Sequence, residues 1–396
     1  YWEEAERIVG EAPSTLRLML PEMYLDKPGE AERIAAINAT MDRYMADGTL
    51  ESRGEGFVFV RRTVDGKTRS GLVVALDLEQ YDYSRGSETL IRASEGTIVE
   101  RIPPRLRIRK DAALELPHIL VLIDDPQHTV IEPLADAATA GNRLYNFELM
   151  LGGGRIEGYM VRDAGRIQGV LRALEALADP TRFAEQYGAD KKPMLFAMGD
   201  GNHSFATAKA NWEALKQTLS PAEQENHPAR YALVELENIH DEGILFEPIH
   251  RVLFNLDPEK ALRWLLERLA LDNGACKMNR FATKEECAAS LKIAATCGGH
   301  LLPFVTAGSY GYLKVNAPAA QLEVGTLQNA LDAMLKAFPE ATIDYIHGAD
   351  VVYDLGTKPG NLGFLLPPMA KSAFFPTVVF DGALPRKTFS MGEANE

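Results

Sequence analysis

Cysteine is scarce in this chain of 396 residues: there are three, Cys276, Cys287 and Cys297. They form no Cys-x-x-Cys pair, which argues against a zinc ribbon, and three thiols do not make a disulfide-stapled secreted scaffold. They read as free thiols in a reducing compartment, so the expected location is cytoplasmic. Long apolar runs are missing too: none reaches the roughly eighteen residues that a membrane-spanning helix needs. Positive charge is in deficit, with 42 Lys and Arg against 56 Asp and Glu, a formal net charge of −14. That balance argues against nucleic acid or an anionic membrane as partner, and no helix-turn-helix pattern offsets it. The chain opens Tyr1-Trp2-Glu3-Glu4 without Met, so N-terminal sequence is expected to be missing. There is no internal repeat, no low-complexity tract, no P-loop ending in Gly-Lys-Ser and no Gly-x-Ser-x-Gly elbow.

The hydrophobic fraction of 46% and charged fraction of 25% are those of a folded globular protein. The length calls for two or three cores. Apolar residues at helical spacing (Ala31, Ile34, Ile37, Met41) predict helices over Tyr1–Val9 and Glu30–Met45. Strands over Phe57–Arg62 and Ser70–Leu76 flank Asp65-Gly66, a tight hairpin signal. Further strands are expected at Ile119–Ile123, Phe147–Leu151, Ile156–Val161, Met194–Met198, Arg230–Leu236 and Gly243–Phe246. One helix is expected over Gly165–Tyr187 and another over about Ser204–Leu219. The last third predicts helices near Pro258–Leu269, Lys284–Ala295 and Val324–Phe338, with strands near His300–Phe304, Tyr310–Val315 and Gly363–Leu366. This irregular mixture points to an α/β or α+β fold with mixed sheets, flanking helices and a smaller C-terminal α/β unit. The expected division is an N-terminal α+β region over 1–140, a core over 141–255 and a C-terminal region over 256–396.

One segment carries chemistry. Gly199-Asp200-Gly201-Asn202-His203-Ser204 lies between an apolar strand and a helix. Glycines allow a sharp turn and a close backbone approach to a ligand. A helix start offers unpaired N–H groups with partial positive charge, an anion site. Asp200 suits a metal ion such as Mg²⁺ or a hydroxyl, His203 suits proton exchange, and Ser204 suits a cap or a phosphate oxygen. An ordinary capped turn has the same composition.

Phe196 to Ala208 resembles the Asp-Gly-His-His-Arg-Tyr-x-Thr-Ala signature of the domain of unknown function 1015 family, a resemblance that extends over nearly the whole chain. Tyr81-Asp82-Tyr83, Glu100, Pro104-Arg105, Pro248-Ile249-His250-Arg251, Phe364-Leu365-Leu366-Pro367-Pro368 and Pro385-Arg386-Lys387-Thr388 are similar to its other ordered elements. The signature is also similar to that of ParB-like and sulfiredoxin-like proteins, including free-serine kinases. The resemblance therefore implies a ParB/sulfiredoxin-like core around the Gly-Asp-Gly turn. It also implies a nucleotide-dependent phosphotransferase acting on a small hydroxyl compound, with ATP or ADP and Mg²⁺. On that reading Asp200, His203 and Glu100 are catalytic, Glu100 as general base. Gly199, Gly201, Asn202, Ser204, Thr207, Arg105, His250, Arg251 and Lys387 would hold phosphate or nucleotide.

The chain departs from the signature at Asn202, Ser204, Phe205 and Val99, which stand for its first His, its Arg, its Tyr and the His of an upstream His-Glu pair. Losing the Arg removes a bidentate phosphate donor. Arg101, Arg105, Arg107, Arg109 and Lys110 are the candidate replacements, or else a solvated strand edge. His240-Asp241 is a weaker candidate that reads first as a hairpin turn. The alternatives are a non-catalytic nucleotide- or phosphometabolite-binding regulator and a hydrolase using His203 and Asp200. A small-molecule substrate is the expected partner, and a homodimer is left open.

Overall fold

The computed structural model describes residues 1–84 and 86–391. The chain divides into two compact units. Among the described residues the first takes Tyr1–Leu245 with Val378–Ala383, and the second Phe246–Thr377 with residues 384–391. The three regions expected from sequence give way to this division for a simple reason: strands on both sides of residue 140 pair in one sheet.

That first sheet has eight strands: β1 (Phe57–Val64), β2 (Lys67–Asp77), β3 (Ile91–Arg92), β4 (Leu120–Ile123), β5 (Arg143–Glu148), β6 (Arg155–Val161), β7 (Phe196–Asp200) and β8 (Tyr231–Asn238). Their order is β3-β7-β4-β8-β2-β1-β6-β5. Two neighbouring pairs, β3 with β7 and β4 with β8, run parallel, and the rest antiparallel. The β1–β2 hairpin closes on Asp65 (φ 48°) and Gly66 (φ 76°), the left-handed pair a two-residue turn wants. Side-chain alternation sends Phe59, Leu72, Val121, Met198, Val234 and Leu236 to one buried face. Phe205 and Trp212, from the helix Asn202–Lys216, join the same core.

The second unit holds a seven-stranded sheet. Its strands are β9 (Glu247–Phe254), β10 (Cys276–Phe281), β11 (His300–Val305), β12 (Tyr310–Val315), β13 (Thr342–His347), β14 (Leu362–Phe364) and β15 (Phe389–Ser390). The order is β10-β12-β11-β14-β9-β13, with β15 on β9 and every pairing antiparallel. Helices Pro258–Asn273 and Glu323–Ala337 cover it with Leu262, Leu265, Leu269, Leu327, Leu331 and Met334. The fold is thus mixed α/β, two sheets with flanking helices.

Four local expectations change. The helix expected over Gly165–Tyr187 is two, Ala164–Leu177 and Pro180–Tyr187, because the Asp179 carboxylate caps the backbone of Thr181 and Arg182 ahead of a proline start. Gly243–Phe246 is loop and not strand: Asp241 accepts from the Gly243 and Ser70 N–H groups and holds the chain in a turn. The basic stretch forms a helix, Ile102–Arg109, with proline in its first turn. Cys276–Phe281, Thr342–His347, Ala349–Gly356 and Lys371–Asp381 are ordered elements beyond those expected. Among the described residues no helix is long and apolar enough to cross a membrane.

Candidate functional site

The strand β7 is buried through Gly199, and Asp200 emerges exposed at its end. Asp200 Oδ1 accepts from the Gly201 N–H at 2.6 Å. Gly201 then takes φ +83°, and a Cβ there would meet Ile119 at 3.2 Å. Glycine is required here both by the left-handed turn and by the close strand. Having no side chain, Gly201 leaves the helix Asn202–Lys216 without a side-chain cap. The first-turn N–H groups of a 15-residue helix therefore open next to an exposed carboxylate.

The helix is fixed from behind. Phe205 is fully buried and meets the Tyr81 ring edge-on at 4.6 Å. Trp212 Nε1 and Lys216 Nζ both donate to Glu79, at 2.6 and 2.7 Å. Burial pushes the Tyr81 hydroxyl well above its usual range, so this ring packs and does not titrate.

Asn202 turns inward. Its Oδ1 accepts from the Ser94 N–H at 3.0 Å and the Glu95 N–H at 3.4 Å, and its Nδ2 donates to Ser94 Oγ at 3.2 Å. Its side chain thus holds the loop that follows β3, and only its backbone N–H remains for a ligand. One residue on, His203 Nε2 accepts from the Ile98 N–H at 3.3 Å. The same loop continues into Val99–Arg101, where Glu100 is exposed. Two contacts thus tie the Glu100 segment to the helix start. Nothing in the chemistry of Asn202 or Ile98 alone announces this; the tie depends on the parallel pairing of β3 with β7. Thr207 is buried with its hydroxyl donating to the His203 carbonyl at 2.7 Å, so it serves the helix.

The helix Ile102–Arg109 packs against Asn202–Lys216, but most of its cations are engaged elsewhere. Arg105 pairs with Glu22 at 2.7 Å, Arg107 with Asp26 and Glu30, and Arg109 with Glu115 at 2.7 Å. Lys110 lies 4.0 Å from Asp111. Arg101 is exposed and has no ion pair among the described residues.

His250, Arg251 and Lys387 belong to the second unit. The phosphate clamp expected of His250 and Arg251 meets a buried pair instead. Arg251 donates to Gln328 Oε1 at 3.2 Å, to the Arg386 carbonyl at 3.0 Å and to the Ile249 carbonyl. His250 Nδ1 accepts from the Leu366 N–H at 3.0 Å, and burial lowers its pKa to about 4, so it is a neutral acceptor near pH 7. Lys387 is exposed on a turn at φ 55°. Among the described residues no group of three or more His, Cys, Asp or Glu is arranged to hold a metal ion.

The family model for proteins of unknown function, DUF1015, matches residues 1–334. The chain belongs to this family. No curated protein matches it. Solved structures similar to this family member include free serine kinase in complex with AMP, at 8% identity and TM-score 0.40, covering 80% of this chain and 86% of that one. A conserved hypothetical protein from Pyrococcus furiosus is 12% identical, with TM-score 0.38, covering 80% and 89%. SbnI from Staphylococcus aureus, truncated at its C terminus, is 10% identical, with TM-score 0.38, covering 81% and 83%.

Proposed function

We propose that the Gly199–Ser204 turn binds phosphate on the open N–H groups of the Asn202 helix, and that this DUF1015 protein is a nucleotide-dependent phosphotransferase acting on a small hydroxyl compound. The observation that supports it most is the double tie, Asn202 to Ser94 and His203 to Ile98, which sets Glu100 and the uncapped helix start in one frame. In the proposed step the substrate hydroxyl gives its proton to the Glu100 carboxylate as its oxygen attacks the terminal phosphorus, and the nucleotide leaves one phosphate shorter. Arg101 is the cation nearest in sequence to Glu100 and takes the role of the absent signature Arg. Asp200 has one carboxylate oxygen on the Gly201 N–H and the residue exposed, which fits a Mg²⁺ ion completed by phosphate oxygens and water. When bound, the ion would neutralise phosphate charge.

Free serine kinase has been solved with AMP and with ADP, which makes adenine nucleotides the first probes to use. Isothermal titration with ATP and ADP, with and without Mg²⁺, should give saturable binding that is weakened by Arg101→Ala. Absence of binding by any nucleotide at millimolar concentration overturns the reading. A non-catalytic regulator is favoured by one feature, the engagement of Arg105, Arg107 and Arg109 in structural ion pairs. Nucleotide binding without turnover of any hydroxyl compound, unchanged in Glu100→Gln, would select it.

A further inference from the structure

The first sheet ends on β5, whose outer edge meets no other strand among the described residues. The Met160 N–H donates to the Asn142 carbonyl and the Leu149 N–H to the Gly154 carbonyl, so Asn142 and Leu149 turn their main chain toward β6. Alternation, interrupted once by the irregularity between Arg143 and Tyr145, then turns the main-chain groups of Arg143, Asn146 and Glu148 outward. Proline and lysine, which commonly blunt such an edge, are absent from Arg143–Glu148.

The register also divides the side chains by face. Arg143, Asn146 and Glu148 stand opposite Tyr159, Glu157 and Arg155, alternate residues of β6 that share one face. Tyr145 and Phe147 stand opposite Gly158 and Ile156 on the other. Simple alternation would separate Arg143 from Glu148; the extra residue in β5 puts them on one face. Arg143 is exposed and makes no ion pair among the described residues. The Glu148 side chain is 68% exposed, with one carboxylate oxygen on Arg155. Phe147 is 49% exposed beside Tyr145, their ring centroids 6.1 Å apart.

We propose that β5 pairs antiparallel with β5 of a second copy about a two-fold axis through Asn146, joining two eight-stranded sheets edge to edge. In that register Asn146 faces Asn146, Arg143 faces the second copy's Glu148, and Tyr145 faces its Phe147. Every outward N–H and carbonyl of Arg143, Asn146 and Glu148 then finds a partner. A two-fold pairing must match faces as well as charges, and this register matches both. Moving the axis to Phe147 would set Asn146 against Glu148 and leave Arg143 without a carboxylate. The complementary charges lie at the two ends of one strand, which singles out a second copy as the occupant. Because the strand is short, the contact belongs among weak interfaces, with a dissociation constant on the order of 100 µM.

Sedimentation velocity of the full chain should show a monomer–dimer equilibrium as concentration rises through about 100 µM. Arg143→Glu and Glu148→Arg each set like charges against one another on both sides of the axis, and each should weaken self-association about tenfold. Mixed in equal amounts, the two variants should recover the dimer, because each supplies the charge that the other lacks. A merely structural role for either residue gives no such rescue. Asn146→Pro removes an outward N–H without touching the β5–β6 ladder, and should give a monomer whose melting temperature stays near that of the parent. A chain that remains monomeric up to about 1 mM overturns the proposal. So does a dimer that survives Asn146→Pro, or a mixture of the charge variants that associates no better than either alone.

Discussion

Gly201 is where one hydrogen atom decides a conformation. Replacing it by alanine asks a Cβ to accept φ +83° and to press on Ile119 at 3.2 Å. Gly201→Ala is expected to cost about 1–3 kcal/mol, measured by urea unfolding, and to weaken the proposed nucleotide binding by displacing the helix start. Asn202 makes a different kind of contribution. Asn202→Ala removes a buried amide and leaves the Ser94 N–H without its acceptor, an expected cost of about 1–3 kcal/mol. Because the same change unties the loop, amide hydrogen exchange should accelerate over residues 94–101 while β4 and β8 stay protected. Uniform acceleration across the sheet would instead mean that Asn202 is only a packing residue.

At the scale of elements, the strands and long helices were largely legible in the sequence because their burial is one-sided and periodic. Asp65-Gly66, the apolar run before Gly199 and the heptad-like spacing of Ile34, Ile37 and Met41 each imply a local geometry without help from the rest of the chain. The basic helix was not, because Pro103 and Pro104 at its start and five cations within ten residues suit a helix only once Glu22, Asp26 and Glu30 lie opposite. The candidate site was legible to the same extent: the glycine turn was visible, whereas the inward turn of Asn202 and the burial of Arg251 depend on residues roughly eighty to a hundred positions away in sequence. Two imidazole–carboxylate contacts near the β4 and β8 ends were missed as well. His128 lies four residues before Glu132, but no local spacing links Asp124 to His240.

Taken as a whole molecule, the two units carry buried titratable groups of opposite sense. In the second unit burial lowers the His250 pKa from 6.5 to about 4. The unfolded chain binds that proton more readily, so this contribution to stability is present above about pH 6.5 and is lost as the pH falls toward 4. In the first unit Glu237 is fully buried, with Arg69 Nε at 2.7 Å from its carboxylate, and burial raises its pKa above the ordinary carboxyl range. Here the folded state binds the proton more readily, so the contribution is present below the unfolded pKa near 4.5 and is lost as the pH rises. Thermal unfolding followed by calorimetry should therefore show an acid-sensitive and an alkali-sensitive component. His250→Gln should flatten the first and Glu237→Gln the second; a variant that flattens neither would remove its residue from the account.

The division between the units falls at 377/378, inside the helix Lys371–Asp381, and the chain rejoins the second unit at Leu384. Neither unit is a continuous stretch of polypeptide. During synthesis the first unit must wait, incomplete, while more than a hundred residues of the second are made, and it receives Val378–Ala383 only near the end of translation. A nascent chain halted after β8 would lack the Phe380 ring that packs on Tyr187. Stop codons placed downstream of residue 383 should thus be far better tolerated by proteolytic quality control than those placed upstream of residue 378, although they differ by only a few residues.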